Sequence, residues 1–542
     1  PAARLCFSEV FADLRAAIGT GYYETLLRRL LLENPHTAEI LLRPSQTCGQ
    51  ERQEREREAL QNTLETLDEA QRSRIVDGQE RLAALQQEPD SPEALAAIPH
   101  VQLSDLPRDP APIPTETEAD GRLILHAVQT DGIVYPTAYF EADDLTEAQL
   151  PYMSVLDAAL GQLPAGGMDA QELQKQLRLK LGSLTAALSP YSQYHDPQSY
   201  RLYAAVSFSA LEARLPEAVR LTAQILTQTD FSDKTKLLEL IRQQRDGLQQ
   251  QIVSSGSSFA MLRASAALNA AGACTERSGG VDFYRWLCAL EREFDARADA
   301  CIAALQRLSE KLFVTARLRL SVTGGTEDER QTVLRVLREA LPAGQAPGPA
   351  YPAPLLPIRR EGIVIPSEVS FAAVCGDVHA YSGALRIACR AASLGHYWNE
   401  IRVQGGAYGT GLLVRETGLV SAYTYRDPDC RRSRGAIGRT AAYLEAAAAS
   451  GEAQDVNIIG AISDAEPLLS PRLQGAVADT WLLKGMTQAD RCRLRHEMLD
   501  TLPEQLAACG AQIGRALDEG VVCVLGPRTQ LEACGDLDVQ EL

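Results

Sequence analysis

The sequence predicts an α+β chain in which a duplicated α/β unit stands behind a helical-hairpin linker. Three observations predict it. Apolar residues pass from short strand-like runs to helical spacing, twice and in the same order. A highly charged helical stretch precedes both copies. A loop in the first copy, Gln176-Leu177-Arg178-Leu179-Lys180-Leu181-Gly182-Ser183-Leu184, aligns with Glu400-Ile401-Arg402-Val403-Gln404-Gly405-Gly406-Ala407-Tyr408 in the second. Arg178 falls under Arg402 and Gly182 under Gly406, while Leu184 stands where the second copy has Tyr408. One copy is therefore expected to be scaffold and the other to carry function.

Residues 1–45 read as the tail of a preceding domain, with Phe7, Val10, Phe11, Leu14 and Ile18 at helical spacing and a strand-like run from Ala38 to Leu42. Residues 46–115 read as a linker. Its charged helix, Gln50 to about Gln87, has a thin apolar stripe (Leu60, Leu64, Leu67, Ile75) and alternating signs that suit a solvated face. Gly78 is expected to divide it into a hairpin, and prolines from Pro89 to Pro114 mark an extended segment. Residues 116–341 form the first, degenerate unit. Leu123–Val128 and Ile133–Phe140 flank Asp131-Gly132, a hairpin signal, and Thr146 with Gln149 reads as a capping box. Strands over Tyr203–Phe208 and Ala316–Val322 bracket long helices. Residues 342–357 are a second proline-rich linker. In the second unit, 358–542, strands at 362–365 and 369–374 lead to a helix over 381–394 that Gly395 is expected to end. The glycine loop, paired strands over 411–426, further helices (one capped by Thr487 with Asp490) and a closing strand at Val521–Leu525 complete it.

Composition bounds the function. A chain of 542 residues exceeds one core, and about two to four domains are expected. Net charge of −18 argues against nucleic-acid or anionic-membrane affinity. The twelve cysteines contain no Cys-x-x-Cys pair, which fits reduced thiols in a cytosol-like compartment. No run of 18 apolar residues suggests a transmembrane helix. The chain starts at Pro1 without a signal-like segment, and it is expected to be the later part of a longer polypeptide.

The seven histidines, His36, His100, His126, His195, His379, His396 and His496, contain no i,i+4 pair, so neither His-Glu-x-x-His nor His-x-x-Glu-His occurs and no metal ligands are assigned. His396 and Glu400 are four apart, and a helix-end polar pair is the expected reading. The glycine loop runs from helix into strand, the reverse of a phosphate loop, and no Gly-Lys-Ser/Thr follows. Arg402 and Tyr408 remain. A guanidinium fork suits a carbonyl or carboxylate, a phenol donates to an oxyanion, and Gly405 and Gly406 allow close backbone approach. An Arg at a helix end and a Tyr packed on the sheet is equally compatible with the residues.

Trp398-x-x-Ile401-Arg402-Val403-x-Gly405-Gly406-Ala407-Tyr408-Gly409 resembles the C-terminal-half signature of presequence-protease-type zinc peptidases, in the pitrilysin/insulinase superfamily. Thr130-Asp131-Gly132-Ile133-x-Tyr135, Asp230-Phe231-Ser232-Asp233 and Asn34-Pro35-His36 support it. The resemblance implies two pitrilysin-like α/β sandwich domains, each an antiparallel-rich sheet with helices packed on it, in one half of a clamshell that degrades unfolded peptides. It implies zinc in the full enzyme, bound by an N-terminal half that is a partner in cis or as a second chain. It assigns Arg402 and Tyr408 as catalytic residues near the scissile carbonyl, and Gly405, Gly406 and Ala407 as substrate-binding. This chain alone is then expected to be inactive, and the expected compartment is the cytoplasm of a bacterium. The alternative is a non-catalytic peptide-binding or structural subunit of the same superfamily.

Overall fold

The structure, a computed structural model, describes residues 7–45, 47–87, 90–99, 101–118 and 121–542. Pro1, Pro89 and His100 lie outside them. The chain divides into two units, Pro1–Pro99 and His100–Leu542.

In the first unit the charged stretch forms two helices, Cys48–Thr66 and Glu69–Gln87, with no buried residue on the first. The break falls at Leu67-Asp68, not at Gly78 as expected. Asp68 caps the second helix reciprocally: its carboxylate accepts from the Gln71 N–H at 2.7 Å and its own N–H donates to Gln71 Oε1 at 2.9 Å. A cap supplies partners to orphan N–H groups, whereas one glycine within a helix costs only about 1 kcal/mol. The strand expected at Ala38–Leu42 does not form. An extended apolar segment becomes a strand only against a partner, and none stands there among the described residues.

The second unit holds two six-stranded sheets. The first contains β1 (Thr115–Glu118), β2 (Leu123–His126), β3 (Ile133–Glu141), β4 (Ser183–Gln193), β5 (Asp196–Leu211) and β6 (Leu318–Thr323), in the order β1-β2-β6-β3-β5-β4. The second contains β7 (Arg360–Val364), β8 (Phe371–Asp377), β9 (Gly409–Val414), β10 (Leu419–Tyr425), β11 (Val521–Gly526) and β12 (Asp538–Glu541), in the order β12-β7-β11-β8-β10-β9. Apart from β1 and β12 the topologies match strand for strand. β2 and β6 pair in parallel, as do β7 and β11, and the remaining pairs of the shared core are antiparallel.

The hairpins expected at Asp131-Gly132 and between 365 and 369 are corrected by this order. The Asp131-Gly132 turn exists, with φ of 50° and 85°. However, β6 inserts between β2 and β3, and β11 between β7 and β8. A late strand that pairs on both edges satisfies more backbone groups than the local hairpin would.

The two repeats dock by exchanging a helix. Gly256–Ser265, from the first repeat, lies on β8, β10 and β11, and Pro471–Lys484, from the second, lies on β4, β5 and β6. Glycine permits each approach: a Cβ at Gly256 would stand 2.4 Å from the Phe371 ring, and one at Gly475 would stand 1.8 Å from Thr323 Oγ1. Gly256 is thus the helix junction expected of it. Alternate residues of β8 and β11 (Phe371, Ala373, Cys375; Val521, Cys523, Leu525) join the first repeat's core, and those between them (Ala372, Val374; Val522, Val524) join the second's. His126, expected to be structural, is fully buried at this seam. Its Nε2 lies 2.9 Å from Asp479 Oδ1, and Tyr139 donates to the other carboxylate oxygen at 2.9 Å.

The edge strands share one device. The Leu188 N–H of β4 donates to Asp157 at 2.8 Å, and the Leu412 N–H of β9 donates to Ser393 Oγ at 2.8 Å. Burial pushes the Asp157 carboxyl up to about 7, against the downward pull of the Leu188 N–H. An unfolded Asp titrates near 4, so between roughly pH 4 and 7 the folded chain holds a proton that the unfolded chain lacks. Stability therefore falls as pH rises through that window. Asp157→Asn keeps the acceptor and removes the charge. Its melting temperature should match the parent's near pH 5 and exceed it near pH 8 in thermal unfolding scans. Identical pH dependence in the two proteins would exclude this assignment.

Candidate functional site

The site grows from the helix that precedes β9. Ser382 caps Gly383–Ala391, its Oγ accepting from the Leu385 N–H at 3.2 Å. The helix does not end at Gly395 as expected. It widens into a π-helix, Ala392–Val403. Gly395 serves packing instead, because a Cβ there would lie 1.8 Å from the Tyr443 hydroxyl. One face of the π-helix is anchored: Tyr397 bonds Thr440 at 2.7 Å, His396 Nε2 donates to the Ala436 carbonyl at 2.8 Å, and Ile401 is fully buried. The His396 ring also stacks on Tyr443 at 5.1 Å. Glu400 turns away to Arg439 at 3.1 Å, so His396 and Glu400 do not meet as a pair.

The anchored face leaves Trp398, Arg402 and Val403 facing outward. The Arg402 guanidinium carbon sits 4.0 Å from the Trp398 ring centre and 5.7 Å from that of Tyr408. Tyr408 is 66% exposed, its N–H donates to the Arg426 carbonyl at 3.3 Å, and its ring meets Tyr425 edge-on at 5.9 Å. Among the described residues no carboxylate lies within ion-pair distance of Arg402, since Glu400 is held by Arg439. The cation is oriented by rings that leave its fork unsatisfied, an arrangement suited to receiving a carbonyl or carboxylate.

The glycines close the helix. The Gly406 N–H donates to the Arg402 carbonyl at 2.9 Å and the Ala407 N–H to the Ile401 carbonyl at 3.1 Å, a Schellman end with Gly406 at φ 80°. Ala407 and Ile401, both buried, supply the apolar contact that accompanies it. A Cβ at Gly405 would stand 2.4 Å from the Ile401 carbonyl oxygen. Gly405 and Gly406 thus shape the chain's own turn, and the Ala407 methyl belongs to the core. Gly406→Ala forces a side chain into left-handed backbone and should lower stability by about 1–2 kcal/mol, with Gly406→Asn closer to the parent. Urea unfolding checks this, and an alanine variant as stable as the parent would contradict the cap.

Two family profiles match the chain: "Peptidase M16 (subfamily C) associated" over residues 42–290 and "PreP C-terminal domain" over 360–522. Protein HypA of Clostridium perfringens is 25% identical over 99% of this chain and 56% of its own length. Presequence protease 1, chloroplastic/mitochondrial, of Arabidopsis thaliana is 24% identical over 95% of this chain and 48% of its own. The chain is a C-terminal-half, M16-protease-like protein. It spans about half the length of these curated relatives. The M16-like chain also shares its fold with a peptidase M16 inactive domain from Pseudomonas fluorescens, at a TM-score of 0.54 and 14% identity over 77% of this chain and 98% of that one. A protease from Helicobacter pylori gives a TM-score of 0.54 and 12% identity over 77% and 100%.

The first repeat of the M16-like chain builds no such aromatic site. Arg178 ends the helix Ala170–Lys180, and Leu184 pairs with Phe208 inside the sheet. At the place of Trp398 stands Gln174, whose amide donates to the Gly161 carbonyl at 2.6 Å. Motif reading assigns Trp398 no role, and its four-residue spacing from Arg402 on a helix is the signal that could have found it. Zinc does not fit the donors of this chain. His126 faces Asp479 and Thr115, His496 faces Asp109 at 2.7 Å, and among the described residues no three His, Cys, Asp or Glu converge. No described helix is long and apolar enough to cross a membrane.

Proposed function

We propose that the M16-like chain is the C-terminal half of a zinc-dependent endopeptidase for unfolded peptides, in which the second repeat supplies Arg402 and Tyr408 and the first is scaffold. The domain limits are those stated above: 1–45, 46–115, 116–341, 342–357 and 358–542. The observation that carries the proposal is Arg402, held between Trp398 and Tyr408 with its fork unpaired beside an exposed phenol. In this reading Arg402 and Tyr408 donate to the oxygen of the scissile carbonyl and stabilise the charge that develops there. The loop backbone at Gly405-Gly406-Ala407 flanks the bound peptide. The metal belongs to the partner half, in cis or as a second chain, and the setting is the bacterial cytoplasm.

The test joins this chain to its zinc-bearing half and follows cleavage of an unstructured peptide. Cleavage is expected only when both parts are present, and the isolated chain should hold well under one zinc per molecule by elemental analysis. A tightly held equivalent of zinc in the isolated chain would overturn the reading. A second reading, a non-catalytic peptide-binding or structural subunit, is favoured by the likeness to a peptidase M16 inactive domain. It requires peptide binding or assembly without any gain in cleavage from Arg402 and Tyr408.

A further inference from the structure

The helix Cys430–Ile437 lies beside the Arg402 loop, since Arg432 donates to the Gln404 carbonyl at 3.0 Å. Its first residue faces the last residue of the helix Arg528–Cys534, with Cys430 Sγ and Cys534 Sγ 3.5 Å apart and both thiols free. The two cysteines are 104 positions apart in the chain, so only the fold brings them together. Cys430 is 1% exposed, whereas Cys534 is half-buried and lines a cavity of about 340 Å³.

That cavity is also lined by Arg360, Arg431 and Arg434, with Asp518 and Asp536 opposite them, three guanidiniums against two carboxylates. Asp536 is held by Arg434 at 2.6 and 2.8 Å and by Arg360 at 2.6 Å. Arg431 is exposed and has no carboxylate within ion-pair distance among the described residues. A cationic pocket on a chain of net charge −18 is a local exception that attracts anions.

We propose that this pocket is a thiol-modification site for a small, carboxylate-bearing disulfide, with Cys534 the attacking and Cys430 the resolving thiol. The Cys534 thiolate attacks one sulfur of RS–SR. That S–S bond breaks, RS⁻ leaves and takes a proton, and a mixed disulfide forms on Cys534. Cys430 loses its proton to water and attacks the Cys534 sulfur. The second RS⁻ leaves, and a Cys430–Cys534 bond results. Two protein thiols are oxidised and one disulfide is reduced to two RSH, so no other oxidant is needed. Arg431 binds a carboxylate of the reagent, and the burial of Cys430 sets the order of attack.

The experiment treats the purified chain with glutathione disulfide or with uncharged hydroxyethyl disulfide and maps peptides without reduction. A Cys430–Cys534 cross-link, reversed by dithiothreitol, is expected before any adduct at exposed Cys48. Cys430→Ser should instead retain a glutathione adduct on Cys534, and Cys430→Ala replaces it if the serine variant does not fold. Arg431→Ala should slow the anionic reagent roughly tenfold and the neutral one less than about twofold. Earlier labelling of Cys48, no adduct on Cys534 in the resolving-thiol variant, or an Arg431→Ala effect equal for both reagents would overturn the proposal.

Discussion

Arg402→Ala, in the chain joined to its zinc-bearing half, should lower kcat for peptide cleavage by about 100-fold or more, the usual effect of removing one oxyanion donor. Its melting temperature should not change, because the side chain makes no ion pair among the described residues and touches only the partly exposed rings of Trp398 and Tyr408. Arg402→Lys keeps the charge but loses the planar fork, so little activity should return. Tyr408→Phe should lose kcat without losing the ring over Tyr425. Trp398→Leu, which removes only the surface that orients the guanidinium, should fall between the parent and Arg402→Ala. A parent-like kcat in Arg402→Ala would end the catalytic assignment and leave the non-catalytic reading.

The largest stability effect is expected at Arg263. This guanidinium leaves the exchanged helix Gly256–Ser265 and meets three carboxylates: Glu276 at 2.9 Å, Asp282 at 2.6 Å and, bidentately, Glu361 of β7 at 2.8 and 3.2 Å. Glu276 is fully buried and Glu361 nearly so. Arg263→Met removes the shared cation and strands buried negative charge, which typically costs about 3–5 kcal/mol. Burial holds the Glu276 carboxyl above the usual range, with Arg263 pulling it down. In the variant that downward pull is gone, so the folded chain keeps a proton that the unfolded chain releases above about pH 4. Stability then falls as pH rises, and the deficit in urea midpoint should be larger near pH 8 than near pH 5. A loss below about 1 kcal/mol at both pH values would show that the cluster does not hold the repeats together.

Local features are legible in the sequence where the contact partners are neighbours. The capping boxes Thr146/Gln149 and Thr487/Asp490 form as expected, because both partners lie within one turn. The charged stretch does form helices, but the glycine at 78 is a weaker break than the cap that Asp68 makes with Gln71. Gly395 reads as a terminator because glycine often ends helices. The fold needs it for the Tyr443 hydroxyl, 48 residues on in sequence. Sheet order is not legible, since β6 reaches its place between β2 and β3 after nearly two hundred intervening residues.

By itself the sequence determined the chemical inventory: a duplicated α/β unit, an Arg and a Tyr around a glycine pair, a twin copy without the Tyr, and no histidine pair for zinc. Only the tertiary structure decided that Trp398 holds Arg402, that Gly406 closes a helix, and that each repeat lends the other a helix. The physical reason is range. Caps and periodicity are settled by hydrogen bonds and side chains a few residues apart, whereas strand order, buried charge clusters and the pairing of Cys430 with Cys534 arise from competition among distant segments for the same buried surface.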